Sequence, residues 1–425
     1  MSPGSKPHRQ SPTSTPGQSV DTAKRVLIER QSQIDEFCTQ VRNEGRFGFD
    51  TEFVMEDRFE PEVCLIQLAS QETVALIDPF LTLDLAPIWE LVADPQVETV
   101  VHAGKEDLAL CVQHTGRIPQ NIFDVQVAAG FVGLDYPLSL QKLIQSTLHL
   151  RLHKAKTLTD WRRRPLSESQ LQYGADDVAH LLEVRGKLMS RLERRGRVDW
   201  AMEEMKRFEV ESLYSRVGED KLRRLKGTAS MKGQQLAVVR ELLRWRDELA
   251  EELNRPARVV LKDHLLVEIA RLGSTSSSDI RDLRGLNMND RNVRALGQAV
   301  GSAMALPPDQ WPEPKPREAE PPREEVLIAL ATAVIRSYCL DYGLAYSLVA
   351  KKSSIQDLIR HRSVGRPEGA GPVELLVGWR AATVGALLDD VLAGRRTVRV
   401  ESVNGHPVVH VTDANDDQDG GLSAC

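Results

Sequence analysis

Five residues of this chain have types and spacings that could do chemistry: Asp50 and Glu52, two apart; Asp107; and Tyr173 with Asp177, four apart. The first pair lies in Gly48-Phe49-Asp50-Thr51-Glu52-Phe53, directly after an apolar strand start. Asp107 closes His102-Ala103-Gly104-Lys105-Glu106-Asp107, and the last pair lies in Tyr173-Gly174-Ala175-Asp176-Asp177-Val178, which reads as helix. Residues two apart on a strand point to one side, so Asp50 and Glu52 present both carboxylates to the same face. Residues four apart on a helix share a face, which puts Tyr173 beside Asp177. Four carboxylates gathered by a fold repel one another unless divalent cations fill the space between them. Oxygen-only donors suit Mg²⁺ or Mn²⁺ rather than zinc. Two such ions about 4 Å apart can clamp a scissile phosphodiester, one activating the attacking water and the other offsetting charge on the leaving oxygen. A phenol with an ordinary pKa of about 10 would orient that water rather than deprotonate it.

Taken singly, each motif has a plainer reading. Asp-x-Glu is common on exposed strands, an acid near a helix start serves the helix dipole, and Tyr-x-x-x-Asp is often a half-buried aromatic beside a surface acid. The three in this order, each at the edge of an expected element, point to one site.

The elements that must position these residues alternate between strand and helix signals. Val26-Leu27-Ile28 reads as a short strand, and Ser32 to Asn43 as a helix with Ser32 as N-cap. Phe47 opens a central strand; Val63 to Ala69 and Val74 to Asp78 read as further strands, and Leu85 to Val92 as helix. Glu98 to His102 is a buried strand, Lys105 to Thr115 a helix, and Ile122 to Asp124 a strand; from Val125 to about Arg195 the pattern is almost wholly helical. Gly104 is expected to permit a tight strand-to-helix turn. Antiparallel strands followed by βα units predict an α/β fold, a mixed sheet flanked by helices. Helical stripes over Leu236 to Leu253, Asp263 to Leu272 and Asp290 to Met304 predict a small all-α bundle, and Glu325 to Tyr342, Ser354 to Arg362 and Pro372 to Leu392 a second.

At 425 residues the chain is long enough for two or three domains, and its 41% hydrophobic and 27% charged residues are those of an ordinary globular protein. No apolar run reaches the roughly 20 residues that span a bilayer, so no membrane partner is expected. The five scattered cysteines form no Cys-x-x-Cys pair, and no secretory leader is recognisable, so a reducing cytoplasm is the expected compartment. The net charge of −6 argues against binding nucleic acid through overall charge. Basic blocks at Arg162-Arg163-Arg164 and Arg191 to Arg197 flank the Tyr173/Asp177 motif, where they could meet a phosphate backbone. The expected organisation is a disordered stretch at 1–22, a catalytic α/β domain at 23–205, a basic connector at 206–229, a helical domain at 230–306, a Pro-rich linker at 307–323, a second helical domain at 324–400 and an acidic tail at 401–425.

With these motifs in place, the chain resembles the ribonuclease D family, DEDD-superfamily 3′→5′ exonucleases of the subgroup with Tyr in the third motif. Asp50 to Val54 matches the first motif, Leu65 to Leu68 and Leu76 to Pro79 the strands after it, and His102 to Leu108 the second motif. Thr159-Asp160-Trp161, Arg164-Pro165-Leu166-Ser167, Gln170-Leu171 and Tyr173 to Val178 match the third motif and its lead-in. Residues 230–306 are similar to the HRDC module, a helical nucleic-acid-binding domain, and 324–400, with Gly378-Trp379-Arg380, more faintly to a second one. The resemblance implies a ribonuclease H-like fold and a two-metal 3′→5′ exoribonuclease that releases nucleoside 5′-monophosphates from RNA with a single-stranded 3′ end, tRNA precursors above all. It implies that Asp50, Glu52 and Asp177 hold one ion, that Asp50 bridges to a second held by Asp107, and that Tyr173 positions the water. The family has basic and aromatic residues after its first motif, whereas Met55 to Pro61 here is acidic; Phe59 is the candidate there for stacking on a base. His102 and Arg164 are further candidate contacts to substrate.

A DNA exonuclease of the same superfamily and a non-catalytic RNA-binding scaffold are the alternatives. A helicase accessory role has no support, because the phosphate-binding Gly-x-x-x-x-Gly-Lys-Ser/Thr loop is missing. His149 and His153 have a zinc-like spacing without the intervening Glu and read as surface histidines; Trp161, Trp245, Trp311 and Trp379 read as structural.

Overall fold

The structure, a computed structural model, describes residues 24–152, 160–214, 221–222, 225–313, 321–365, 371–403 and 406–414. The expected disordered stretch at 1–22, His153, Thr159, parts of the basic connector and of the Pro-rich linker and the end of the acidic tail lie outside the described residues.

The first strands are β1 (Lys24–Ile28), β2 (Arg46–Val54), β3 (Glu62–Ala69) and β4 (Thr73–Ile77), with helix α1 (Gln31–Glu44) between β1 and β2. Then come α2 (Ala86–Val92), β5 (Glu98–Val101), α3 (Lys105–Thr115) and β6 (Ile122–Asp124). The helices α4 (Val125–Phe131), α5 (Leu140–Leu148), α6 (Glu168–Ala179), α7 (Leu181–Arg194) and α8 (Val198–Met205) complete the domain. One sheet runs in the order β1-β4-β3-β2-β5-β6, antiparallel at β2–β3 and β3–β4 and parallel at the other pairings. This is the mixed α/β sheet expected from the alternating pattern.

Alternation along β2 separates two functions. Phe47 and Phe49 are fully buried on one face, with Phe49 edge-on to Trp89 of α2 at 6.0 Å; Asp50 and Glu52 take the other face. Over that second face lies α6, in contact with β2, β3 and β4. Its start is set by a capping box: Ser167 Oγ accepts from the Gln170 amide at 3.3 Å, and Gln170 Oε1 accepts from the Ser167 amide at 2.9 Å. Helix and sheet come this close because position 174 is glycine. A Cβ there would stand 2.7 Å from Leu65 Cδ2 and 3.2 Å from Gln67 Nε2.

Several local expectations are corrected. The N-cap of α1 is Arg30, not Ser32; Gln33 Oε1 takes the Glu29 and Arg30 amides at 3.1 and 3.0 Å, so a side chain inside the first turn does the capping. Gly104 has an ordinary φ of −77°, and Ala103 carries the left-handed turn at φ 55°. Glycine is needed at 104 for space, since a Cβ would meet Val101 Cβ at 2.5 Å. The stretch from Val125 to Arg195 is interrupted between α4 and α5 and between α5 and α6. The expected helix from Pro372 to Leu392 is broken at Gly378 (φ 54°), where Glu203 accepts the Trp379 amide at 3.1 Å. Residues His406–Asp413, expected within the acidic tail, form a strand antiparallel to Arg396–Val403. Val398 and Val411 pair across this hairpin and pack on the main core, and Ser337 Oγ donates to the Val409 carbonyl at 2.9 Å. The β-branched alternation there outweighs the acidic composition.

The helical units differ in attachment. The bundle built on helices Gly233–Glu252, Asp263–Leu272 and Asp290–Met304 has a core of its own around Val239, Leu242, Leu266, Ile269 and Leu296. The last unit does not. Ile335, Val349, Leu358, Trp379 and Leu388 are continuous with the core under the sheet domain. Trp379 meets Phe131 edge-on at 4.9 Å and stacks on Trp200 at 6.0 Å, and Arg380 Nη1 pairs with Glu204 at 2.7 Å. Arg197 donates to the Phe131 carbonyl at 2.7 Å and the Gly343 carbonyl at 3.1 Å. No helix among the described residues is long and apolar enough to cross a membrane.

Candidate active site

Asp50 and Glu52 sit where the sheet stops covering β2. The parallel partner β5 reaches only Gly48 of β2, so the edge beyond it is left to the first turn of α3, which brings Asp107. Thr51 Oγ1 donates to Asp107 Oδ1 at 2.5 Å, tying the third acid to the strand that carries the first two. A bulge follows Glu52, between it and Phe53, and re-aims the strand into the loop 55–61. On the α6 side, the four-residue spacing puts Tyr173 beside Asp177, close enough for the phenol to restrain that carboxyl's pKa. Asp107 is buried at 8% exposure, whereas Tyr173, at 37%, remains open to solvent and so to a substrate.

The acids feel one another. Burial, then the charges of Asp107, Asp177 and Glu52, hold the Asp50 carboxyl well above the usual carboxylate range. Burial, then Asp177 and Asp107, push Glu52 up to about 8. Burial raises Asp177 to about 7, helped by Asp176 and opposed by the Tyr173 hydrogen bond, and raises Asp107 to about 6 against the bond from Thr51. Burial and the charges of Asp177, Glu52 and Asp50 push the Tyr173 phenol up as well. The five sequence-predicted residues are thus brought within one another's fields, and positive charge would relieve the repulsion.

Among the described residues, no three His, Cys, Asp or Glu side chains converge tightly enough to form a ready-made metal cluster. Mg²⁺ does not require one. It keeps several waters and is held through one or two carboxylates together with substrate phosphates. The all-oxygen donor set and the shared excess of negative charge fit a hard divalent ion.

The candidate substrate contacts lie elsewhere or are engaged. Arg164 donates to both oxygens of Asp78 at 2.6 and 2.7 Å and to the carbonyls of Cys64 and Trp161 at 2.7 Å, and it lies over the Phe80 ring. Its guanidinium therefore holds the segment leading into α6 against β3 and β4. Arg162 likewise pairs with Asp57 and Glu62, each at 2.6 Å. His102 Nε2 lies 2.8 Å from the Leu138 carbonyl, beside the buried Asp124 whose Oδ1 accepts the Ala103 amide at 3.2 Å. Phe59 lines a cleft facing the first helical bundle, with Ala109, Val112, Tyr214 and Arg244. The Phe59 and Glu60 amides donate to Asn254 Oδ1 at 3.2 and 3.3 Å, so the loop after the first motif is tied to that bundle. Trp161 packs at 6.0 Å from the Tyr173 ring. His149 caps α5 in a left-handed conformation, and His153 lies outside the described residues.

Two residues escaped the motif-based reading. Thr51 lies between the two β2 acids and was legible only as a spacer. Gln67 pairs with Asp50 across β2 and β3; it is fully buried, and neither its Oε1 nor its Nε2 has a hydrogen-bond partner among the described residues. A lone amide in the otherwise apolar run Val63-Cys64-Leu65-Ile66-Gln67-Leu68-Ala69 was the available signal.

The family described as 3′-5′ exonuclease matches residues 26–193, and the HRDC domain matches 235–300. Ribonuclease D of Pseudomonas paraeruginosa is 34% identical over 372 residues, covering 86% of this chain and 96% of the relative. Ribonuclease D of Gluconacetobacter diazotrophicus is 32% identical over 87% of this chain and 92% of its own length. The crystal structure of Escherichia coli RNase D, described as an exoribonuclease involved in structured RNA processing, matches with a TM-score of 0.75 at 28% identity, over 87% of this chain and 99% of that one. A Bifidobacterium adolescentis protein with a TM-score of 0.61 and 22% identity shares the fold.

Proposed function

This chain belongs to the ribonuclease D family and is a 3′→5′ exoribonuclease, and we propose that Asp50, Glu52, Asp107, Tyr173 and Asp177 form its active site. The observation that supports this assignment is the meeting of acids from β2, α3 and α6 at the one stretch of β2 that β5 leaves uncovered. Asp50, Glu52 and Asp177 would hold one Mg²⁺ or Mn²⁺, and Asp107 with Asp50 a second. When bound, the two ions supply a water of lowered pKa and a counter-charge for the leaving oxygen.

The chain's own residues do the rest. The Tyr173 hydroxyl, with its phenol pKa raised, stays protonated and orients the attacking water toward the last phosphodiester. The Tyr173 ring is held beside Asp177 on the same helix face and packs at 6.0 Å from the Trp161 ring. Cleavage leaves the terminal nucleotide as a 5′-monophosphate and a new 3′-hydroxyl on the shortened RNA. Because the pocket is strongly negative, RNA must be gripped elsewhere, and the HRDC bundle is the part suited to that. An RNA with an unpaired 3′ end, a tRNA precursor with a 3′ extension, is the substrate proposed from the structured-RNA role of the E. coli relative, with the cytoplasm as its compartment.

The test is a time course on a 3′-extended tRNA, with Mn²⁺ or EDTA, resolved to single nucleotides and repeated with Asp50→Asn. Release of 5′-monophosphates that needs the metal and is lost in the variant is the expected result. Full cleavage by Asp50→Asn would remove the site assignment. Matched RNA and DNA oligonucleotides compare the two sugars directly, and preference for DNA would favour the superfamily's other substrate.

A further inference from the structure

A buried carboxamide with no partner is costly. A buried donor or acceptor left unsatisfied keeps its desolvation penalty without compensation, and such groups call for an explanation. Gln67 is 0% exposed, and both polar atoms of its side chain lack a partner among the described residues. Its position is not arbitrary. Residues paired directly across an antiparallel ladder project to the same face, and Gln67 pairs with Asp50, as Leu65 pairs with Glu52. From above, Gly174 closes on it: its Cβ position lies 3.2 Å from Gln67 Nε2, and Gly174 adjoins Tyr173 in sequence. Any other residue at 174 would press on this amide. β3 is otherwise apolar here, with Leu65, Ile66 and Leu68 all fully buried, so leucine at 67 would satisfy the core better.

We propose that Gln67 is a positioning residue of the active site, its unpartnered amide, on the Asp50 face of the sheet and against Gly174, serving to hold the Asp50 carboxylate when the divalent ion is bound. The inference rests on the site assignment above and deepens it. A carboxamide suits this place because it can both donate and accept without adding charge to a pocket already overloaded with it. Partners around ligating carboxylates typically tune metal affinity or activity by about 10–100-fold. Gln67 would therefore act on how Asp50 is held and not on RNA binding.

Gln67→Leu and Gln67→Met remove the amide at similar volume. For each, Mn²⁺ binding is measured by calorimetry without RNA, the metal-free melting temperature is recorded, and kcat and KM are determined on a 3′-extended RNA. The expected result is a metal-free protein at least as stable as the wild type, Mn²⁺ affinity lowered about 10–100-fold, and reduced kcat with an unchanged KM. Mn²⁺ affinity and kcat within twofold of wild type would overturn the proposal. So would a variant that melts earlier but binds Mn²⁺ normally, or failure of both variants to fold, because the amide would then serve packing alone. Asp50→Asn is run alongside. If it keeps activity the site assignment itself is wrong; if it is inactive while the Gln67 variants behave as wild type, only the role of Gln67 falls.

Discussion

Thr51 donates its hydroxyl hydrogen to the carboxylate of Asp107, fifty-six positions later in the chain. The residue separating Asp50 from Glu52 thus holds the third acid in place, and the same bond lowers the proton affinity that burial gives Asp107. Thr51→Val keeps the shape and removes the donor. In the metal-free protein the pKa of Asp107 should rise above its value of about 6. Stability should fall by about 1–3 kcal/mol, as for a lost hydrogen bond to a charged group. A carboxyl NMR titration in EDTA and a urea melt read both effects, and an unmoved Asp107 titration would count against the link.

The metal-free protein should lose stability as pH rises through neutrality. Glu52 titrates near 8 and Asp177 near 7 in the folded chain, against about 4 in an unfolded one. Between those values the folded state binds more protons than the unfolded state, so unfolding becomes easier with each step up in pH. The contribution is fully present below about pH 4 and is lost as pH passes 7 to 8. Melting temperatures in EDTA should accordingly decline from pH 6 to pH 8 relative to Glu52→Gln, and Mn²⁺ should reverse the decline. A melting temperature that rises over this interval in EDTA alone would contradict the clustering of acids.

Tyr173→Phe retains the ring beside Trp161 and removes only the hydroxyl. Loss of an oriented water should lower kcat by about 10²-fold or more while RNA affinity stays unchanged. Asp177 loses the bond that restrains its pKa, so its titration should also move upward. Single-turnover nucleotide release across pH, paired with filter binding, separates the two effects.

The last helical unit should be inseparable from the nuclease domain, whereas the HRDC bundle should not. Trp379 lies between Phe131 and Trp200 and is 2% exposed, so Trp379→Ala should cost about 3–5 kcal/mol. A chain ended after residue 225 would strip cover from Phe131 and Trp200 and should aggregate or melt early. Removing residues 230–306 alone, with the flanks rejoined by a flexible linker, should leave a folded nuclease with weaker RNA binding. Guanidinium melts and RNA titrations at two salt concentrations test this; a stable, monomeric 1–225 fragment would refute the shared core.

The five motif residues are legible in the chain itself because their chemistry depends on side-chain type and on local period. A strand places Asp50 and Glu52 on one face, and a helix places Tyr173 beside Asp177, wherever the rest of the chain goes. The mixed sheet is legible for the same reason. What depends on long-range pairing is not: Thr51 and Gln67 resemble ordinary strand residues until β2 meets α3 and β3. Arg164 resembles a phosphate contact until the fold brings it to Asp78, and Phe59 a base platform until it lines the cleft toward the HRDC bundle.

By itself, then, the amino-acid order determined which groups react and which local element carries each, since those follow from periods of two and 3.6 residues. Only the tertiary structure decided what surrounds them: where β5 stops short of Asp50, how closely Gly174 lets α6 descend on Gln67, and which helical unit shares the sheet's core. Such relations arise from packing between residues far apart in sequence, and nothing in the sequence of either partner alone encodes the distance between them.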